Sequence, residues 1–457
     1  IHMYLLVLFD DFTPILFNCL VQIFFSFSLY ILVVTRFSNF AGILSVLFFY
    51  STPNMIILLS TGKPDGIFFG IIFLSFHFLL LWKEKNNLNY LYLSSIFVGA
   101  SLALKYQAIY WFFTIYPIFI IIMLLNKNVK NFFILALYFG IIPIIISCPW
   151  YLKNFITTGD PVWPFGYSLF ESSFWNAELD TKYKSWETGP GKSLLKYLFG
   201  FWNLTLRQAE WKWGLLIPFL PYNLILLPGL ALTYKRFNKK QIEIIIFCLL
   251  AFFIFYSIWF IGWQQIRYLL PVMGLLNLIS AAVLVHLYQS KNIRILLRMT
   301  FASILIFSLS YSIFYNSQFL KNALGLESKK DFLTNKISFY EDISFLNENL
   351  NDDAVVLWND LKAFYCEKEW VLIPQFMYDS FNSDLFVAVQ FLKGNNITHI
   401  FNPYHKTTEL IINELVDNNF IKPIYENNFA KIIGSRSLGN FNKTNLVIYE
   451  VNKNQFK

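Results

Sequence analysis

Apolar runs long enough to cross a bilayer recur through the first two-thirds of the chain, and no other feature limits its fold so strongly. A spanning helix needs about 20 predominantly apolar residues. Runs close to that length occupy residues 13–34, 40–60, 67–82, 90–104, 109–125, 132–148, 215–232, 242–263, 268–287 and 300–314. Pro53 interrupts the second, and the pair on either side of Lys105 is short. Only 14% of the 457 residues are charged and 56% are hydrophobic, too few charges for the surface of a soluble protein this large. The sequence therefore predicts an α-helical polytopic membrane domain of about ten spans. Cys19, Cys148 and Cys248 lie in apolar runs and Cys366 in a polar tail, a spacing that fits neither a disulfide framework nor a metal site. The sequence carries no nucleic-acid-binding motif.

Placement of charge sets the expected topology. Arg36, the pairs Lys83/Lys85 and Lys127/Lys130, the cluster Lys235, Arg236, Lys239 and Lys240, and the group Lys291, Arg294 and Arg298 fall in alternate connections. The opposite short connections carry only Lys63, Lys105 and Arg267. Cytoplasmic loops are enriched in Lys and Arg. The expected location is thus the cytoplasmic membrane of a bacterium, with Asp65, Lys105, the segment from Pro149 to Phe165, Arg267 and everything after residue 314 on the outer side. The first span then runs outside to inside, and the chain starts with Ile1; both lead to the expectation that an earlier span precedes it.

The segment 150–213 is long for a membrane connection and holds Trp163, Trp175, Trp186, Trp202, Trp211 and Trp213. Its apolar and basic run 192–202 reads as a helix lying in the interface, either an anchoring belt or a lid over a pocket. From about residue 327 the composition turns polar. Helices are expected at 339–350, 384–393 and 407–416, and strands at 354–358, 370–373, 397–401, 430–433 and 446–451. Alternating strands and helices suggest an extracytoplasmic α/β domain with at least part of its sheet parallel. The expected division is 1–326, including the segment 150–213, and 327–457. No catalytic signature appears in the second part.

Ionisable groups at a membrane boundary are costly and so are candidates for function. Asp65 follows Thr61-Gly-Lys-Pro64; it serves equally as a helix cap. Lys105 sits between two apolar runs in Leu-Ala-Leu-Lys-Tyr-Gln and could simply reach for the headgroups. Arg267 opens an apolar span in Gln264-Gln-Ile-Arg-Tyr-Leu-Leu-Pro271, where it serves as an anchor or as a grip on an anion.

Three strings carry a family resemblance. Pro149-Trp-Tyr-Leu-Lys-Asn154 followed by Thr158-Gly-Asp-Pro-Val-Trp-Pro-Phe165, the Lys105-Tyr106 pair, and Arg267-Tyr-Leu-Leu-Pro271 together resemble bacterial membrane glycosyltransferases of the type-C fold, related to the protein O-mannosyltransferases. Asp160 stands where that family often has Asn. The resemblance implies an inverting transfer of a sugar from a polyprenyl-phosphate donor to a lipid, glycan or protein acceptor on the outer face. It implies donor phosphate binding by Arg267, Lys105 and Tyr268, and a loop motif of Trp150, Tyr151, Lys153, Asn154 and Asp160. Asp65 is the candidate catalytic carboxylate. In the family the main base lies in a first outer loop, which this sequence does not contain; Asp10 and Asp11 do not match it. No cofactor is implied with certainty, and a divalent metal remains open. An outer-face polysaccharide ligase or polymerase and a multi-spanning transporter are the rival classes.

Overall fold

The computed structural model describes residues 8, 13–52, 55, 58, 63–125, 131–172, 174–187, 191–206, 221–289, 291–358, 363–374, 377–402, 409–433 and 441–456. It divides into two compact units, residues 1–173 with 177–312 and residues 174–176 with 313–457.

The first unit is a helical bundle. Its long helices are α1 (Thr13–Val34), α2 (Asn39–Tyr50), α3 (Asp65–Lys85), α4 (Leu88–Leu104), α5 (Ala108–Leu125), α6 (Phe132–Thr158), α7 (Lys239–Ile261) and α8 (Ile266–Leu287). A further helix, α9 (Lys291–Ala323), runs across the division between the units. Among the described residues, α3, α5, α6, α7, α8 and the Leu16–Val34 part of α1 are long and apolar enough to cross a membrane. The shorter α2 ends at Tyr50, where the Ser51 N–H donates to the Leu47 and Phe49 carbonyls; the rest of the expected 40–60 run lies largely outside the described residues. Of the expected 215–232 run, only the part from Pro221 is described. It is broken into Pro221–Leu226, a tight turn Leu227–Gly229 and Leu230–Thr233. Pro228 removes a backbone donor there.

Burial ranks the helices. The apolar window of α8 is 94% buried and that of α3 78%, against 22% for α6. So α3 and α8 form the centre and α6 the rim. Close approach to α3 depends on missing side chains. A Cβ at Gly66 would lie 2.0 Å from Gln22 Cγ, one at Gly70 2.2 Å from Phe25 Cβ, and one at Gly274 2.2 Å from Phe73 Cζ. Gly66 and Gly70 are four apart, so they make one small-residue face on which α1 packs.

One sequence expectation is corrected here. The run expected to span 132–148 is longer as a helix: α6 continues through Pro149 and ends only at Thr158. Gly159, at φ 76°, caps it and donates to the Phe155 carbonyl. The left-handed turn needs glycine, and the Trp-Tyr string before it supplies no such residue. The run 192–202 folds as two short helices, Leu194–Leu198 and Gly200–Leu206, with Leu194, Leu195, Leu198, Phe199 and Trp202 exposed. Trp211 and Trp213 lie outside the described residues.

The second unit is an α/β fold. Strands β1 (Val355–Trp358), β2 (Glu369–Leu372), β3 (His399–Asn402), β4 (Ile421–Ile433) and β5 (Phe441–Val451) form one mixed sheet in the order β2-β1-β3-β5-β4. The β1 strand pairs in parallel with β2 and β3; β5 pairs antiparallel with β3 and β4. Alternation sorts the core. Leu357, Ile400, Val447 and Tyr449 pack with Leu385–Gly394 (α11) and Glu409–Asp417 (α12), whereas Val356, Trp358, Phe401 and Ile448 pack with Tyr340–Asn349 (α10). The β4–β5 hairpin is longer than its apolar runs predicted, because its first half is polar and irregular. Shifts at Pro423/Tyr425 and Asn427/Ala430 bend this edge strand, which protects it from pairing with another chain.

Candidate active site at one end of the helix bundle

Asp65, Lys105 and Arg267 are far apart in sequence, but each sits where a helix begins or ends. Asp65 opens α3 and is buried. Lys105 follows α4 in extended backbone (φ −158°, ψ 135°), which breaks the helix and turns the chain into α5. Its Nζ lies 2.5 Å from Asp65 Oδ1, with only 3% of the Asp65 side chain exposed. The same ammonium lies 5.5 Å from the Tyr268 ring centroid and 6.0 Å from that of Phe68. Arg267 is in the first turn of α8. Its Cζ lies 4.9 Å from the Tyr268 ring, Nη2 donates to the Tyr268 hydroxyl at 3.0 Å and Nε to Gln265 Oε1 at 3.2 Å. One buried aromatic ring therefore holds two cations by its π-system.

Among the described residues the charges do not cancel. Arg267 and Lys63 both act on the Lys105 ammonium through space, and Asp65 is its carboxylate partner. Among the described residues no carboxylate pairs with Arg267. Among the described residues, Lys105 and Arg267 stand against one carboxylate, Asp65, which leaves a site fit for an anion. Arg offers it a planar fork of donors, and Lys a point charge.

A second group adjoins this one. The Asn154 amide donates to the Tyr106 hydroxyl and, at 3.5 Å, to the Pro161 carbonyl. Tyr106 packs edge-on against Tyr151 (6.0 Å) and Phe165 (5.3 Å), and Phe165 against Trp263 (4.8 Å). Tyr106, Tyr110, Tyr151, Phe165, Trp263 and Tyr268 line a cavity of about 230 Å³. Gln107 also lines it and has a buried Oε1 without a partner among the described residues. The walls suit an apolar chain, and Tyr268 belongs both to this cavity and to the cation cluster.

The other motif residues divide by role. Asp160 is fully buried, and both its oxygens are used: Oδ1 accepts from Val162 N–H at 2.8 Å and Oδ2 from Gly166 N–H at 3.0 Å. It folds the turn that carries Phe165 to the cavity. Asp160→Ala leaves two turn donors unmade at about 1–3 kcal/mol each. We expect a clear fall in melting temperature in detergent, with Asp160→Asn intermediate because one acceptor oxygen survives. An unchanged Asp160→Ala would show that the turn holds without these bonds. Trp150 is 46% exposed; Lys153 lies 5.2 Å over its ring, and neither lines the cavity. Sequence reading missed Gln107, Tyr110, Phe165 as a wall, Trp263 and Gln265. All five stand within five residues of a motif residue, which was the available signal. Among the described residues no group of three His, Cys, Asp or Glu side chains could hold a metal ion.

A polytopic bundle with a cationic, aromatic-walled site at one end and a following α/β unit has the fold of the type-C membrane glycosyltransferases. The chain is similar over 99% of its length to two structures of ArnT from Cupriavidus metallidurans, one bound to undecaprenyl phosphate and one in the apo state. Sequence identity is 12% to each, with TM-scores of 0.58 and 0.59 and coverage of 88% and 87% of those chains. Residues 2–151 match the family described as dolichyl-phosphate-mannose-protein mannosyltransferase. No curated protein matches the chain in sequence. It is a multi-pass membrane protein of this fold.

Proposed function

We propose that the protein is a membrane glycosyltransferase that moves a sugar from a polyprenyl-phosphate donor to a lipid, glycan or protein acceptor. The observation that carries this reading is the shared Tyr268: a cation cluster fit for phosphate on one side and an apolar cavity fit for a prenyl chain on the other. In this reading Arg267 grips the donor phosphate in two-pronged fashion and Lys105 assists. When the phosphate engages Lys105, Asp65 is released from its pair and accepts the proton of the acceptor hydroxyl. The acceptor oxygen bonds to the anomeric carbon from the opposite face, and the bond to the phosphate oxygen breaks. Polyprenyl phosphate leaves with both bonding electrons, neutralised by the cations, and the anomeric configuration inverts. The membrane part, 1–326, would carry the chemistry, and 327–457 would form a separate extracytoplasmic domain.

The test uses purified protein with a radiolabelled polyprenyl-phosphate sugar. Transfer with release of polyprenyl phosphate is expected. Turnover only with diphosphate-linked oligosaccharides would assign the polysaccharide-ligase class instead. The alternating Lys and Arg support a cytoplasmic-membrane location with the α/β unit outside. A reporter active only outside the cytoplasm, fused at Lys457, should be active; activity of a cytoplasm-only reporter there would reverse the orientation.

A further inference from the structure

The α/β unit has a polar cleft that the transfer reaction does not use. It opens at the end of the sheet where β1, β3 and β4 begin and β5 ends. The antiparallel register places His399 opposite Glu450, and Ile421 opposite Val451. Its volume is about 600 Å³, within the range of small-ligand sites.

The lining is rich in carboxamides. Asn351, Asn419, Asn452 and Asn454 come from three separate segments. Asn452 is used internally: its amide donates to the Asn419 carbonyl at 3.3 Å, and its oxygen accepts the Asn454 N–H. The side chains of Asn351, Asn419, Asn454 and Asp353 make no hydrogen bond within the described residues. Asn419 adopts left-handed backbone at φ 56° next to the start of β4, which fixes the corner of the cleft.

Charge narrows the ligand. Asp353 and Glu450 balance Lys422 and Lys453, and Glu450 is paired with Lys422 at 2.7 Å. His399 shares its Nδ1 with the Thr398 hydroxyl. Burial lowers its pKa, against the pull of Glu450, so the ring is neutral at pH 7. The cleft is thus neutral, without an arginine to grip a phosphate and without carboxylates grouped for a cation. Unused carboxamides offer donors and an acceptor in one plane. That supply matches adjacent hydroxyls, each of which donates and accepts.

We propose that this cleft binds an uncharged oligosaccharide. The proposal stands apart from the transfer reaction, because it concerns binding with no donor present.

The experiment is saturation-transfer NMR on the full-length protein in detergent, with a panel of lipid-free neutral oligosaccharides built from glucose, mannose, galactose and N-acetylhexosamines. At least one should bind saturably. The variant Asn351→Ala with Asn454→Ala, both at exposed positions, should weaken it by about tenfold or more, since two hydrogen bonds are lost. Absence of saturable binding across the panel overturns the proposal. So does binding that the double variant leaves unchanged, or displacement of the bound sugar by inorganic phosphate or calcium at equal concentration.

Discussion

Arg267→Ala should lower turnover by one to two orders of magnitude. A charge-assisted hydrogen bond to a partly desolvated phosphate is worth about 1.5–3 kcal/mol, and each 1.36 kcal/mol is about tenfold in rate. Arg267 has no carboxylate partner among the described residues to compete for it, and Gln265 and Tyr268 hold its guanidinium in place. Arg267→Lys should recover only part of the loss, because a point charge cannot reproduce the fork. Membrane insertion should be normal: the residue lies in the first turn of α8, and its side chain is only part-buried. Turnover near wild type for Arg267→Ala, at both limiting and saturating donor, would reduce the residue to a boundary anchor.

The buried pair should show the largest stability effects. Lys105→Ala leaves the Asp65 carboxylate without its cation at a site where 3% of the side chain is exposed. Breaking a buried pair from one side costs about 3–5 kcal/mol, because the remaining charge stays desolvated. Asp65→Asn should be destabilising by the converse route. Combining Asp65→Asn with Lys105→Gln removes both charges and should recover most of the lost melting temperature. Turnover should not recover with it. If Asp65 takes the acceptor proton, Asp65→Asn alone costs about 10²–10⁴-fold in rate. Stability losses that simply add in the double variant would refute the pairing, and a near-normal rate for Asp65→Asn would remove the carboxylate from the chemistry.

Burial of the centre explains why these residues and not their neighbours matter. The α3 and α8 helices are the most enclosed of the spanning helices, so their first turns are held by packing on most sides. A side chain placed there is preorganised at little further entropic cost. The α6 helix lies at the rim, and its Trp150 and Lys153 accordingly stay exposed although their string is a strong sequence signal.

Most of the second unit was also legible, for a different reason. Strand β1 alternates Val356 and Trp358 on one face with Leu357 on the other, and α11 carries Ala388, Phe391 and Leu392 on one side. Such periods are set by local geometry and survive in a single sequence. The first half of β4 was not legible. Residues 421–429 include Pro423, Glu426, Asn427 and Asn428, whose composition denies a strand; pairing with β5 imposes one.

By itself the sequence determined that the chain crosses a membrane several times, where its helices run, and which sparse charges lie near their ends. Hydrophobic runs and charge placement are local properties, and a bilayer responds to them one segment at a time. Tertiary structure alone decided that Asp65 pairs with Lys105, 40 residues away, and that Tyr268 is shared by Lys105 and Arg267. Each of these depends on how closely helices approach, and that distance is set by pairwise packing such as Gly66 on Gln22 and Gly274 on Phe73, which no single segment encodes.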